Sequence, residues 1–325
     1  MKLLTTITDK EATGKELPAP DRYSERKAGR AIVFNSENKI AILHATKYHF
    51  HKLPGGGLEK GENIELALER ELSEEIGCEV NIGDELGSII EVKNDYGQKQ
   101  TSYCFIAEVS KICKPNLTED EIEKLGLELK WVSLNDAIKF FEKDNPKDYT
   151  TKFIRARDLE FLRNYLIQTF NKIRNIPYHI PESPKDIDRR CWGKNRLLLE
   201  EFMKLGFEVR LIVTKFSWSK QHLPKELTSQ APTNKDVHPF VEIKLNGKWI
   251  KVDATLDPKF PNYNKWDGKT NTPISIDYDK ICSSNESKEI SKKEDSSKKS
   301  KEWYDFWKKL NKFFEKMKMT EREFK

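Results

Sequence analysis

The chain has 325 residues, of which 37% are hydrophobic and 34% are charged, and this length favours two domains over one. It contains no run of 18 or more apolar residues, which excludes a transmembrane helix. The formal net charge of +5 is concentrated near the end, because residues 283–325 carry 13 Lys/Arg against 9 Asp/Glu. The remaining residues are close to neutral, so the charge does not indicate that the folded body binds nucleic acid.

The first residues lack the apolar central segment of a secretory signal peptide, and we expect a cytoplasmic protein. The five cysteines are widely scattered and form no CxxC pair; they are Cys78, Cys104, Cys113, Cys191 and Cys282. This spacing indicates neither a disulfide framework nor a structural zinc site, so we expect free thiols.

The first half of the chain reads as a mixture of strands and helices. Residues 30–46 predict two apolar strands around a polar turn at Asn35–Asn38. A glycine loop and a glutamate-rich helix follow within residues 56–77. After further strand-like stretches, an amphipathic helix over residues 151–168 is predicted to close a first domain of residues 1–168.

The glutamate-rich helix concentrates negative charge at one point. Glu71, Glu74 and Glu75 stand at positions i, i+3 and i+4, so their carboxylates share one face of the helix. Three like charges together destabilise a helix unless a cation neutralises them, and oxygen ligands of this kind suit Mg²⁺ or Mn²⁺. Arg70 can pair with Glu62 and so fix the preceding loop against the helix.

Two further features support this helix and its loop. Leu68, Leu72 and Ile76 are spaced by four and predict the apolar stripe that anchors the helix. The loop contains three consecutive glycines, which let the backbone turn tightly and approach a ligand closely; they are Gly55, Gly56 and Gly57.

The whole pattern runs Gly56, five residues, Glu62, seven residues, and then the nine residues RELSEEIGC, in which Gly77 precedes Cys78. It resembles the signature box of the Nudix hydrolases. That family usually has an aliphatic residue where Cys78 stands, and cysteine behaves as a small hydrophobe. The resemblance implies the family's α/β/α sandwich over residues 1–168.

The resemblance also implies hydrolysis of a nucleoside diphosphate linked to another group, with Mg²⁺ or Mn²⁺ held by Glu71, Glu74 and Glu75. Such a metal polarises the pyrophosphate and lowers the pKa of an attacking water. A glutamate would accept the proton; the candidates are Glu74 and the loop residues Glu119, Glu121 and Glu123. His51 stands where the family commonly has tryptophan, and it is either a surface imidazole or a base-stacking residue.

A second domain is predicted over residues 169–282. Cys191 follows a turn-like stretch and opens a helix, where the dipole and the unsatisfied N–H groups stabilise a thiolate. A hairpin follows, and Asn246 with Gly247 supplies the positive backbone angles of its type I′ turn.

The hairpin places two further side chains together. If residue 245 pairs with residue 248, counting outward places residue 240 opposite Asp253. His238 then lies on the same face as Asp253 and diagonal to it, within reach of an imidazole and a carboxylate. A cysteine nucleophile, a histidine base and an orienting aspartate together suit thiol acyl transfer.

This order of Cys191, His238 and Asp253 resembles the transglutaminase-like superfamily, with its papain-like α+β fold. The sequence departs from that family at Arg190, where a small or acidic residue is frequent, and at Asn195, where a small residue is usual. The resemblance implies action on an amide: protein cross-linking, deamidation, peptide cleavage or deglycosylation. The backbone N–H of Cys191 is one candidate oxyanion donor.

The last part of the chain differs in composition. Residues 283–301 are charged and of low complexity, and we expect a disordered linker. Residues 302–325 have an apolar stripe from Trp303 to Met317 at helical spacing. This amphipathic helix could dock on the second domain, bind a partner or lie on an anionic membrane; such stripes are usually packed, so we predict docking.

The sequence therefore predicts an α+β protein that joins a Nudix pyrophosphohydrolase, acting on a nucleotide-type small molecule, to a transglutaminase-like domain. One alternative is a thiol acyltransferase or protease-like enzyme, directed at a protein or peptide, whose Nudix half senses a nucleotide. Another makes the C-terminal domain a binding module without catalysis.

Overall fold

The computed structural model describes residues 1–114 and 125–320, with side chains through residue 318. The chain forms two compact units, Met1–Leu166 and Ile167–Lys325. Within the described ranges, no helix is both long enough and apolar enough to span a bilayer.

The first unit is built on one mixed sheet. Its strands are β1 (Leu3–Ile7), β2 (Ser24–Phe34), β3 (Ile40–Ala45), β4 (Phe50–Lys52), β5 (Cys78–Lys93), β6 (Gln98–Ile112) and β7 (Leu127–Val132). Its helices are α1 (Asp9–Thr13), α2 (Ile64–Ile76), α3 (Leu134–Lys143) and the first part of α4 (Tyr149–Arg174). The strands are ordered β1-β5-β6-β2-β3-β4, β7 pairs with β3, and β2 runs parallel to β6.

The turn predicted between the first two apolar strands is confirmed. Phe34 of β2 pairs with Ile40 of β3 in an antiparallel ladder. Asn38 has a φ of 57°, a left-handed conformation that asparagine tolerates better than most residues. The helix predicted over residues 151–168 is also present and is longer, since α4 covers Tyr149–Arg174.

Helix α2 has clear signals at both ends. The side chain of Asn63 accepts a hydrogen bond of 2.8 Å from the N–H of Leu66, which caps the start of the helix. Gly77 ends it with a φ of 60°, a conformation that glycine adopts without strain. The predicted stripe is buried: Leu68, Leu72 and Ile76 all lie in the core. Burial of this stripe holds the glutamate face in a fixed position beside the sheet.

The second unit contains an antiparallel sheet and several helices. Its strands are β8 (Val209–Ser217), β9 (Lys235–Leu245), β10 (Lys248–Val252) and β11 (Lys280–Ile281), in the order β10-β9-β8-β11. Its helices are α5 (Cys191–Lys204), α6 (Lys225–Thr228), α7 (Ser284–Lys293) and α8 (Lys301–Thr320).

The hairpin register predicted for this unit is confirmed. Leu245 pairs with Lys248, and the ladder continues outward to Val241 opposite Val252. The turn residues Asn246 and Gly247 have φ values of 48° and 77°, the positive angles that a type I′ turn requires.

Residues 283–301 differ from the disordered linker expected from composition, because most of them form α7. The hydroxyl of Ser283 caps this helix by accepting a hydrogen bond from the N–H of Glu286. Ser287 is fully buried and its hydroxyl accepts a hydrogen bond of 3.0 Å from the N–H of Val213 in β8. The many charges occupy the outer face, and a few small residues are enough to fasten the helix to the sheet.

The predicted docking of the C-terminal amphipathic helix is confirmed. Tyr304, Phe306, Trp307 and Leu310 of α8 are buried in a cluster with Ile180. Partly buried side chains of the same unit surround that cluster; among them are Tyr178, Trp218, Leu223 and Leu227. The apolar stripe of α8 is therefore a packed face of the second unit.

Candidate active sites

The glycine loop of the first unit lies directly against β2. The N–H of Gly29 donates to Gly56 O at 2.9 Å, and the N–H of Ala31 donates to Pro54 O at 3.2 Å. Gly55 has a φ of 124°, and a Cβ there would overlap the backbone of Gly29. Only glycine fits this close approach, which explains the residue type at the centre of the loop.

Glu75 of α2 is the carboxylate that joins the helix to this loop. Its side chain is 2% exposed, and it accepts a hydrogen bond of 2.7 Å from the N–H of Gly55. It also forms an ion pair with Lys52, at the end of β4. The loop is consequently held by a buried, charge-assisted contact from the middle of the signature pattern.

Glu71 lies beside the same loop. A Cβ at Gly56 would overlap its carboxylate, so the glycine leaves the space that Glu71 fills. Burial, and then the negative charge of Glu75, raise the pKa of Glu71 above its usual range. The two carboxylates are thus close enough to repel each other.

Arg70 makes the contact with Glu62 that the sequence predicted. Its Nε donates to Glu62 Oε1 at 2.9 Å, and its Nη2 donates to Glu62 Oε2 at 3.1 Å. The same guanidinium also donates to Gly57 O, and to Glu71 and Glu74 at 3.1 and 3.2 Å. Arg70 therefore connects the exit of the loop to two of the three clustered glutamates.

The three glutamates predicted to hold a metal are not equivalent in the structure. Glu71 and Glu75 lie together at the loop, whereas the Glu74 side chain is 40% exposed and is held by Arg70. In the part of the chain that the structure describes, no three Asp, Glu, His or Cys side chains are arranged to hold a metal ion. The alternative proton acceptors Glu119, Glu121 and Glu123 lie outside the described residues.

His51 is not on the surface, so that interpretation of it is wrong. The residue is 6% exposed, and its Nδ1 lies 3.0 Å from Asp144 Oδ1. Its ring stacks on His44, with 4.4 Å between centroids, and on Phe140. The ring contacts of His51 are made within the protein, where β4 meets α3.

In the second unit, Cys191 is the first residue of α5, as the sequence predicted. Its partly exposed thiol therefore lies at the positive end of the helix dipole. Two residues later, a Cβ at Gly193 would overlap the carbonyl group of Asp188. Glycine at that position lets the preceding turn fold tightly over the first turn of α5.

The predicted contact between His238 and Asp253 is present. The Nε2 of His238 lies 2.9 Å from Asp253 Oδ2, and both side chains are buried. Burial by itself lowers the pKa of His238, but Asp253 and then Cys191 outweigh it and raise that pKa to about 10. The three side chains predicted from the sequence are therefore close enough to interact.

Asp253 is held by several donors besides the imidazole. Its Oδ1 accepts from the N–H and hydroxyl of Thr255, and its Oδ2 accepts from the N–H of Ser275 at 2.8 Å. Burial opposes ionisation, but His238, Thr255 and Ser275 outweigh it and hold the pKa of Asp253 well below its usual range. The carboxylate is fixed in position and charged at neutral pH.

Asn195 is a site residue whose role sequence reasoning missed. It lies one turn after Cys191 on α5 and is fully buried. Its Nδ2 is within 3.3 Å of Cys191 O and Asp253 Oδ1, and its Oδ1 accepts from the N–H of Ala254. The i, i+4 spacing from Cys191 was the available signal, since it places Asn195 on the same helix face. Asn195, which departs from the family pattern, therefore joins helix α5 to the end of the β9–β10 hairpin.

The other departure, Arg190, also has a structural explanation. Its guanidinium is buried and forms ion pairs with Asp188 at 3.1 Å and with Glu294 at 2.6 Å. It also lies 4.8 Å from the ring centroid of Trp307 in α8. Arg190 therefore fastens the segment before Cys191 to later parts of the second unit.

A protein-family model and several known proteins match the first unit of the chain. A model of the NUDIX domain matches residues 25–153. Diphosphoinositol polyphosphate phosphohydrolase 3-alpha of Mus musculus is 27% identical over 128 residues, which is 39% of this chain and 74% of that protein. The solved structure of a C. elegans Ap4A hydrolase is 19% identical, covers 44% of this chain and 96% of that chain, and has a TM-score of 0.30.

A human protein is also similar. Diphosphoinositol polyphosphate phosphohydrolase NUDT4B of Homo sapiens is 30% identical over 129 residues, which is 39% of this chain and 68% of that protein. The residues matched by the family model include the glycine loop and the whole of α2. On these sequence matches, the chain belongs to the Nudix hydrolase family.

Proposed function

We propose that the first unit hydrolyses the pyrophosphate bond of a nucleoside diphosphate linked to another group, with the help of Mg²⁺ or Mn²⁺. The observation that carries this proposal is the meeting of the Glu71 and Glu75 carboxylates with the backbone of the glycine loop. That arrangement combines negative oxygen ligands with a backbone segment that a phosphate group can approach closely.

The oxygen chemistry of these side chains suits a hard divalent cation. Every candidate ligand is a carboxylate oxygen, from Glu71, Glu74 or Glu75, and hard cations prefer oxygen. The raised pKa of Glu71 reflects burial and repulsion from Glu75, both of which a nearby cation offsets. When bound, the metal supplies Lewis-acid polarisation of the pyrophosphate and a lower pKa for the attacking water.

Side chains of the protein hold the loop and accept the proton of the attacking water. Glu62 and Arg70 hold the exit of the loop, so that the loop backbone keeps its position when substrate binds. Glu74 is the most exposed of the three glutamates, which suits it to accept the proton of the attacking water. The glutamates at 119, 121 and 123 are the alternative acceptors.

The names of the relatives refine the choice of substrates. They are named for diphosphoinositol polyphosphates, whose diphosphate group contains the same kind of phosphoanhydride bond. We therefore extend the proposal to that bond type and include these compounds beside nucleoside diphosphate derivatives. The alternative is that the first unit binds such a compound without cleaving it.

The experiment is a substrate screen with matched variants. The full chain is incubated with ADP-ribose, dinucleoside polyphosphates, NADH, nucleotide sugars, oxidised dNTPs and a diphosphoinositol polyphosphate in Mg²⁺ or Mn²⁺, and the phosphorylated products are separated and quantified by anion-exchange chromatography. We expect one class to be cleaved, and Glu74→Gln to lose that activity while the exposed Glu69→Gln on the same helix retains it. If none of these compounds is cleaved, the result favours the alternative that the first unit binds such a compound without cleaving it.

A second function has its own supporting observation, the contact of His238 with Asp253 beside Cys191. We propose that the second unit, transglutaminase-like as its residue order suggests, transfers an acyl group from an amide in a protein or peptide. The Cys191 thiolate attacks the carbonyl carbon, His238 donates a proton to the departing amine, and the C–N bond breaks. Water or another amine then cleaves the thioester. A reducing compartment such as the cytoplasm keeps the thiol available.

Alkylation by iodoacetamide tests this second function. We expect Cys191 to react faster than Cys113, an exposed cysteine of the same chain, and His238→Asn to remove the difference. A Cys191 rate no greater than that of Cys113 would favour a binding module without catalysis.

A further inference from the structure

A cavity of about 700 Å³ adjoins the candidate thiol site of the second unit. Cys191 and His238 both contribute to its lining. Its volume is in the range of pockets that bind small ligands or the side chains of larger ones. A substrate whose carbonyl carbon reaches the thiol can therefore place a neighbouring group in this cavity.

The walls of the cavity are largely aromatic and aliphatic. Phe216, near the end of β8, and Trp218, which directly follows that strand, form one part, and Phe260 forms another. Helix α8 supplies a further wall through residues of its apolar stripe: Trp307, Leu310, Phe314 and Met317. The stripe of α8 thus has two roles, since it packs against the unit and also faces the cavity.

Two ionisable residues of the lining, Arg190 and Asp236, do not favour a charged ligand. Arg190 is neutralised by its ion pairs with Asp188 and Glu294, and its guanidinium lies over the ring of Trp307. Burial raises the pKa of Asp236, which disfavours its negative form. The part of the cavity beside Arg190 and Asp236 therefore suits an uncharged, apolar group.

We propose that this cavity selects an acyl donor whose side chain next to the reacting carbonyl is aromatic or a large aliphatic group. Helix α8 forms the wall that makes the selection. The proposal rests on the thiol function proposed above. It adds the chemical class of the substrate and assigns a binding role to a helix outside both the Nudix match and the Cys-His-Asp elements.

The test compares three electrophiles on the full-length protein. Iodoacetamide measures the reactivity of the thiol alone. The chloromethyl ketones of N-acetylphenylalanine and N-acetylglycine differ only in the side chain offered to the cavity. In each case the Cys191 sulfur forms a C–S bond and displaces the halide. Peptide mass spectrometry follows the labelling of Cys191.

We expect the phenylalanine reagent to label Cys191 about tenfold faster than the glycine reagent, as burial of an aromatic side chain warrants. Phe314→Ala should reduce that ratio by about threefold or more, because it removes part of the apolar wall. Phe313→Ala is the matched control, since Phe313 is the adjacent residue and is not part of the lining. An unchanged iodoacetamide rate confirms that each variant is folded at the site.

A second measurement makes the result independent of thiol chemistry. Calorimetric titration of Cys191→Ala with N-acetylphenylalanine methylamide and N-acetylglycine methylamide should show tighter binding of the phenylalanine compound, weakened by Phe314→Ala. If Cys191 is unreactive but this preference holds, the thiol function is wrong and the cavity assignment stands. Equal labelling and equal binding of the two compounds would overturn the cavity assignment, whatever the reactivity of Cys191.

Discussion

The carboxylate of Glu75 lies 2.7 Å from the backbone nitrogen of Gly55 and accepts its hydrogen bond. This contact joins the glutamate face of α2 to the glycine loop. Glu75 is almost completely buried and also pairs with Lys52. Of the three clustered glutamates, Glu75 therefore has the clearest structural role, because it fixes the loop that a phosphate would approach.

Substitution of Glu75 should affect stability in a graded way. Glu75→Ala removes the acceptor for Gly55 and leaves Lys52 without its buried partner, at a cost of roughly 3 kcal/mol in unfolding free energy. Glu75→Gln keeps an acceptor oxygen and should lose less. Urea denaturation of the two variants measures the difference. Equal losses would show that the hydrogen bond to Gly55 contributes little.

Gly56→Ala should affect activity more than stability. The added Cβ would overlap the Glu71 carboxylate, and because this is the end of a flexible side chain, Glu71 can move away at small cost. We expect the rate of phosphoanhydride hydrolysis to fall while the unfolding temperature stays close to that of the wild type. Glu59→Ala, at an exposed position in the same loop, is the control and should leave both unchanged. Full activity of Gly56→Ala would mean that the position of Glu71 is unimportant.

The sequence was sufficient to predict α2, its capped ends and the shared face of its glutamates, since these depend on local spacing. It could not predict how the glutamates differ. That difference depends on Lys52, which is 23 positions earlier in the chain and reaches Glu75 only when β4 packs beside α2. The burial of His51 between His44 and Phe140 has the same origin, because it depends on contacts between separate elements.

Asn195→Ala should loosen the thiol site. The substitution removes the contacts that join α5 to Asp253 and leaves the buried N–H of Ala254 without its acceptor. We expect a loss of roughly 2–4 kcal/mol in unfolding free energy, together with slower alkylation of Cys191. Leu197→Ala, at an exposed position on the same helix, should change neither. Alkylation at the wild-type rate in Asn195→Ala would contradict the positioning role.

In the second unit, the hairpin register was predictable because Asn246 and Gly247 fix the turn and counting fixes the rest. Asn195 was noticed only as a departure from a family pattern, since the four acceptors near its Nδ2 come from three different segments. The sequence predicted a disordered linker where α7 forms, for a related reason. The composition of residues 284–293 reflects the charged outer face of α7. The burial of the Ser287 hydroxyl, in contrast, depends on the position of β8 in the folded unit.

The interaction of His238 with Asp253 should make stability depend on pH. The folded pKa of His238 is about 10, above its ordinary value of 6.5, so the folded state holds a proton that the unfolded state has lost between these values. The stabilisation is complete below pH 6.5 and is lost as the pH rises through 10. Lys194 has the opposite effect, since burial lowers its pKa to about 7. The contribution of His238 to the pH dependence of stability therefore has to be measured by comparing the wild type with a variant of His238.

We expect the stability advantage of the wild type over His238→Asn to shrink steadily from pH 7 to pH 10. The contribution of Lys194 is common to both proteins and largely cancels. Tryptophan fluorescence during urea unfolding is a suitable signal, because six of the seven tryptophans lie in the second unit. An advantage that is constant or grows over this range would contradict a protonated His238 in the folded state.

The central claim is that the carboxylates of α2 support metal-assisted hydrolysis of a phosphoanhydride bond. The most direct test is the rate of phosphoanhydride hydrolysis of the best substrate of the screen, in Mg²⁺, for the wild type, Glu71→Gln and Glu69→Gln. We predict a loss of about 100-fold for Glu71→Gln, as expected for a residue at a metal site, and the wild-type rate for Glu69→Gln. A Glu71→Gln variant that retains the wild-type rate would contradict the claim.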